Sequence, residues 1–207
     1  MLHVAGVKTH LHCNGDLASE LAKNAYEEVL ATSSNPNIRH TLEHVQLADI
    51  SQFRRMRALG LTANIFANHL YYFGDTHWTK SIGPERARRM DACKDTLEIF
   101  DGCFAINSDV PVTPMAPLFT AWCAVNRKTR SGRDLGNSQK ISAEQALHAI
   151  TMGAAFVLKM DDQIGSISSG KRADFAVLGE DPTNVAPQRL KDVSVIGTIL
   201  GGEFTTP

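Results

Sequence analysis

Along the chain, short apolar runs of strand length alternate with stretches whose apolar positions recur every three or four residues. Val4 to His12 reads as a strand that ends at the Asn14-Gly15-Asp16 turn. Asp16 then serves as N-cap for a helix to about Ala31, with Leu17, Leu21, Ala25 and Val29 at helical spacing. Ser33 to Pro36 is a turn, and Ile38 to Val45 a second strand. Asp49 to Leu59 is a short basic amphipathic helix, closed by Gly60. Leu61 to Phe66 is a third strand, followed by a long aromatic loop through Trp78. Pro84 to about Phe100 is another helix, with proline near its start. Cys103 to Ser108 is a fourth strand, and the prolines of Asp109-Val110-Pro111-Val112-Thr113-Pro114 forbid its continuation. Strands alternating with helices predict a parallel α/β sheet.

Beyond that point the pattern changes. Ser142 caps a helix from Ala143 to about Ile150, and a second helical stretch runs from Thr151 to Leu158. From Ile164 the chain is rich in turns: Gly165, Ser168-Ser169-Gly170, then strand-like Asp174 to Leu178 and Val193 to Leu200, and Gly201-Gly202. This predicts a separate antiparallel β module over 161–207, after an α/β unit over 1–160. A closed (β/α)₈ barrel needs ~250 residues, so four strand–helix units make either half a barrel or a small doubly wound sheet.

Composition narrows the function classes. Lys plus Arg is 21 and Asp plus Glu is 22, a net charge of −1 that provides no attraction for nucleic acid or an anionic membrane. No run approaches the ~18 apolar residues of a membrane span. Cys13, Cys93, Cys103 and Cys123 lack CxxC spacing, so reduced thiols in a cytoplasm are expected.

Eight histidines are many for 207 residues, and they cluster. His12 falls at the end of the first predicted strand, His44 near the end of the second, and Asp109 just past the fourth. In parallel α/β folds the C-terminal strand ends form one rim, where sites are built. Two imidazoles and a carboxylate on that rim are a donor set for zinc, which acidifies bound water. His10 shares a strand face with His12. Glu43 alternates away from His44, which suits a structural or supporting role. His40 lies about 13 Å down the strand from His44, toward the floor. His3, His77 and His148 read as surface or core residues, and the charges of 85–89 as a solvated helix face.

Several segments resemble the amidohydrolase superfamily, in its amidohydrolase family 3 branch, which includes N-substituted formamide deformylases and exoenzyme-regulator-like proteins. His12-Cys13-Asn14-Gly15-Asp16-Leu17-Ala18 is similar to the HxxGDxA signature of that family's fifth strand. Arg39-His40-Thr41-Leu42-Glu43-His44-Val45-Gln46 resembles its sixth, R-x-x-x-E-H-x-Q. Asn68 to Asp75 is similar to the loop after the seventh, and Asn107-Ser108-Asp109-Val110-Pro111-Val112 to the eighth-strand G-S-D-x-P-V. Ile164-Gly165-Ser166-Ile167 and Gly170 to Phe175 resemble the tail that closes the family's β-sandwich.

The resemblance implies strands five to eight of a TIM-type (β/α)₈ barrel, its C-terminal half, followed by β-sandwich strands. It implies a metal-dependent hydrolase of C–N bonds in small amide-type substrates, with one or two divalent ions such as zinc. His12 and His44 map onto metal ligands, and Asp109 onto the residue that binds metal and shuttles a proton to the leaving nitrogen. His69 and Tyr71 map onto the substrate side, with His10 as a pocket neighbour. The first-strand HxH and the metal-bridging residue have no counterpart in these segments, so the chain alone is expected to be inactive. Two organisations follow: association with an N-terminal half, or a non-catalytic scaffolding half-barrel that pairs as a homo-oligomer.

Overall fold

The computed structural model describes residues 1–33 and 36–206. Four parallel strands, β1 (His10–Cys13), β2 (Thr41–His44), β3 (Thr62–Ile65) and β4 (Ala105–Ile106), lie in the order β1-β2-β3-β4. A doubly wound sheet reverses its strand order at a switch point. Here each strand is added beside the last, an order in which right-handed crossovers put the connecting helices on one face. The order is not that of a doubly wound sheet.

The two faces of the sheet differ accordingly. Leu42, Ala63 and Ile65 are buried against Phe53, Met56, Phe100 and Phe104 in the main apolar core. Each such fully buried side chain contributes about 1.5–3 kcal/mol through removal from water. The other face carries polar residues: the register aligns His12, Glu43 and Asn64 in one row across β1, β2 and β3. In the row below, the hydroxyls of Thr41 and Thr62 meet at 2.8 Å.

The helices are α1 (Asp16–Thr32), α2 (Ile50–Ala58), two short turns α3 (His69–Tyr72) and α4 (Gly74–Thr76), α5 (Gly83–Arg89), α6 (Cys93–Ile99), α7 (Pro117–Asn126), α8 (Ala143–Ile150) and α9 (Met152–Leu158). Asp49 caps α2 and Ser142 caps α8, each in a reciprocal capping box with Gln52 and Gln145. The second sheet is antiparallel: β5 (Phe175–Leu178), β6 (Val195–Leu200) and β7 (Glu203–Thr205) in that order. It shares no strand with the first. A short helical segment, Pro187–Asp192, ties this region to α7, where the Trp122 indole donates to Gln188 O at 2.9 Å and the Asn126 amide to Pro187 O at 2.8 Å.

Several local expectations change. Residues 1–6 form turns, so the first strand is only its C-terminal third. Gly15, not Asp16, caps α1, and Asp16 sits in the first turn with its carboxylate on the Leu17 N–H. The face α1 buries is Ser19, Ala22 and Lys23, whereas Leu17 and Leu21 are 66% and 61% exposed. The turn expected at Ser33 to Pro36 includes residues 34 and 35, which lie outside the described residues. The single helix expected from Pro84 to Phe100 is two, broken at Met90-Asp91-Ala92, where Asp91 takes φ 49°. Helix α7 has no sequence counterpart above. Among the described residues no helix is long and apolar enough to cross a membrane.

The floor of the sheet holds His40, and this predicts an acid sensitivity. His40 Nδ1 accepts from the Thr9 N–H at 3.1 Å, while Nε2 meets His3 Nδ1 at 2.9 Å. Burial, then the neighbouring His3, lowers its pKa from 6.5 to about 4. The unfolded chain therefore takes up this proton first as pH falls. Stability from this group is intact above about 6.5 and is lost between there and about 4. At about 1.36 kcal/mol per pKa unit, the loss is at most about 3 kcal/mol. Urea unfolding across that window should show a slope shallower by about one proton in His40→Gln. An unchanged slope would refute the assignment.

Candidate active site

The rim at the C-terminal ends of β1, β2 and β4 borders an open cleft of about 560 Å³. His12, His44 and Asp109 all line it, as do His10, Glu43, Asn64 and Asn107. The His12 and His44 rings meet edge to face, with centroids 4.8 Å apart. His44 is nearly buried at 6% exposure, and its Nδ1 is buried without a hydrogen-bond partner. Burial lowers the His44 pKa, and the Asp109 carboxylate pulls it back up. Its environment thus favours a neutral imidazole with a donor nitrogen free for a ligand.

Backbone geometry explains how neighbouring residues reach one cleft. Side chains alternate along β2, so Glu43 and His44 should face opposite ways. His44 instead takes φ 70° and Val45 φ 40°, the left-handed region, as the strand ends. This turn swings the His44 ring onto the rim while Glu43 keeps the inner face. The expectation that Glu43 points away from the site is therefore corrected. Asp109 also has φ 50°, a conformation most side chains avoid and Asp tolerates.

Glu43 is held on both oxygens: His10 Nδ1 donates to Oε1 at 2.6 Å and the Asn64 amide to Oε2 at 2.7 Å. Asn107 in turn donates to Asn64 O at 3.2 Å. Asn64 and Asn107 were not singled out from sequence as site residues, although Asn64 alternates with apolar residues along β3. The period-two alternation of Thr62 and Asn64 with Leu61, Ala63 and Ile65, which puts Asn64 on the polar face, was the available signal.

The other expected substrate-side residues sit elsewhere. Tyr71 packs edge-on against Phe119 and Trp122, with centroids 5.1 and 5.9 Å away. It lies in the aromatic core rather than in the cleft wall. His69 stands one ring behind the rim: Phe66 is 4.1 Å from His69 and 5.5 Å from His44. Its Nδ1 is 3.9 Å from the Asp91 carboxylate, too far for a hydrogen bond. Burial, helped by His77, His44 and His12, lowers the His69 pKa to about 3. Burial likewise raises that of Asp91, against the pull of Arg127.

As the side chains stand, no group of three or more His, Cys, Asp or Glu among the described residues is gathered closely enough to hold a metal ion. The donor chemistry still fits one: two imidazoles, an unpartnered buried nitrogen and a carboxylate along a single cleft wall.

A family model described as the amidohydrolase family matches residues 1–206. The chain belongs to the amidohydrolase family. Among curated relatives, it is 32% identical over 206 residues to Protein LONG AFTER FAR-RED 3 of Arabidopsis thaliana, covering 98% of this chain and 35% of that protein. It is 29% identical over 201 residues to an N-substituted formamide deformylase of Arthrobacter pascens, covering 95% and 36%. The chain thus spans about a third of the length of these relatives. Two solved structures described as uncharacterized metal-dependent hydrolases are similar in fold. That from Pyrococcus horikoshii superposes with a TM-score of 0.75 at 24% identity, over 89% of this chain and 36% of that one. That from Pyrococcus furiosus gives 0.67 at 25%, over 83% and 33%. An α/β amidohydrolase fold with a parallel sheet is therefore established, in agreement with the resemblance read from the motifs.

Proposed function

We propose that this amidohydrolase-family chain forms the C-terminal half of a (β/α)₈ barrel, residues 1–160, with β-sandwich strands over 161–207. Its chemistry is hydrolysis of C–N bonds in small amide-type molecules, formamides included. The observation that carries this reading is the convergence of His12, His44 and Asp109 on one cleft, with His44 Nδ1 buried and unpartnered. The Arthrobacter relative's name supports the substrate class, and the description of the Pyrococcus furiosus protein supports metal dependence.

His12 and His44 would hold a divalent cation such as zinc, with Asp109 beside it. A cation in that position supplies Lewis acidity toward a carbonyl and acidifies water. Asp109 takes the proton released by the attacking water and delivers it to the departing nitrogen. His10 lines the cleft wall on the substrate side, and His69 backs the rim through Phe66. A complementary half-barrel would dock along the edges of the sheet at β1 and β4. Exposed Leu11, Leu17 and Leu21 on the β1 side support such a contact.

That no three donors are gathered among the described residues favours a second reading, a scaffolding half-barrel without catalysis. Zinc content of the purified, unchelated chain separates the two. Near-stoichiometric zinc that is lost in His12→Ala and in His44→Ala supports the hydrolase. A metal-free parent chain that sediments as a dimer supports the scaffold.

A further inference from the structure

The geometry points to His10 as a third imidazole of the cation site, positioned by Glu43 and Asn64. This rests on the metal-dependent reading above and deepens it.

The argument starts from hydrogen-bond bookkeeping. A carboxylate can only accept, so at 2.6 Å His10 Nδ1 must be the donor to Glu43. Asn64 donates to the other carboxylate oxygen at 2.7 Å, so Glu43 is held from both neighbouring strands. A neutral His10 then carries its lone pair on Nε2, the nitrogen that Glu43 does not use. A histidine whose first nitrogen donates to a carboxylate has its tautomer, orientation and basicity set for metal ligation through the second.

Position agrees with the hydrogen bonding. His10 and His12 are two apart on β1, so their rings share the inner face about 6.6 Å along the strand, at ~3.3 Å per residue. Both line the cleft that also receives His44 and Asp109. Two histidines at this spacing can reach one cation from a strand; among the described residues no three donors are gathered as the side chains stand, so ligation requires their rotation about the side-chain bonds. The signal is independent of the rim-ending pattern that marked His12 and His44. It comes from Glu43, a carboxylate spent on holding a histidine rather than on an ion pair with Lys or Arg.

Zinc affinity, measured by chelator competition on the full chain, tests the proposal, with cobalt(II) absorption as a spectroscopic check. Glu43→Gln should weaken zinc binding 10- to 100-fold, as expected for the partner of a ligating histidine. His10→Ala should weaken it at least as much and reduce the cobalt d–d bands. The double variant should bind no more weakly than His10→Ala alone, because Glu43 acts through His10. His148→Ala should bind as the parent does, and far-UV circular dichroism should be superimposable across the set. If the parent binds zinc and His10→Ala binds it equally well, this proposal is overturned and the reading based on His12 and His44 stands. Losses that add in the double variant also overturn it, since Glu43 would then act only through its charge. A parent chain that takes up neither metal overturns the metal-dependent reading, and this proposal with it.

Discussion

Arg127→Ala should leave the chain unfolded or insoluble. Arg127 is fully buried at the end of α7, and its guanidinium is spent entirely on backbone. Nε donates to Leu135 O, Nη1 to Asp91 O and Nη2 to Met90 O, each at 2.7 Å. Truncation strands three buried carbonyls at about 1–3 kcal/mol each and opens a cavity the size of a long side chain. It also removes the positive charge of Arg127 that partly offsets the burial of Asp91. The sum exceeds about 5 kcal/mol, the lower end of the whole stability of a domain. Arg127→Lys should recover little, because a single ammonium cannot match three diverging carbonyls. Soluble yield and urea unfolding decide the matter. A soluble Arg127→Ala chain within ~1 kcal/mol of the parent would show that the hook is dispensable.

That hook also explains why the sequence misled at 84–100. Pro84 to Phe100 reads as one helix because nothing local forbids it; no proline or glycine interrupts the run. The break at Asp91 is imposed from 36 residues away, where Arg127 claims the carbonyls of Met90 and Asp91. Close packing also fixes the loop that carries Leu135 in this network. A Cβ on Gly136, at φ +77°, would stand 1.9 Å from Arg88 O. Tertiary contacts of this kind leave no periodic trace. Helix α7 escaped for a related reason: from Thr120 to Asn126 every residue is buried, so the polar face that marks a surface helix is missing.

What the sequence made legible was whatever is local. Asp49 and Ser142 cap helices through side chains three residues from their partners, and Gly60 ends α2 with φ +69°. The alternation of strand and helix was sufficient for the parallel sheet, and the predicted strand ends put His12, His44 and Asp109 toward the rim on which one cleft gathers them. The stripe Leu17, Leu21, Ala25, Val29 was legible as well, but its destination was not. Periodicity says which residues share a face and not what covers that face. For the site, period two put Glu43 on the wrong side only because it assumes a straight strand through His44, and the positive φ values of His44 and Val45 bend it there.

The largest expected effect on chemistry falls on Asp109. In an assembly of this chain that hydrolyses an N-substituted formamide, Asp109→Asn should lower kcat by 10²–10⁴-fold, the usual contribution of a positioned acid–base group. Asparagine is the informative replacement, because it keeps the shape of the side chain and tolerates the left-handed backbone that Asp109 adopts at φ 50°. Asp109→Ala would mix loss of the proton carrier with new strain at that position. Asparagine can still offer a carbonyl oxygen to a cation, so bound zinc should fall far less than kcat does. An amide cannot accept a proton at neutral pH, and this separates the shuttle from mere ligation. Zinc content and kcat measured on the same preparation read the two roles apart. A kcat within ~10-fold of the parent at equal zinc would move the proton to another group.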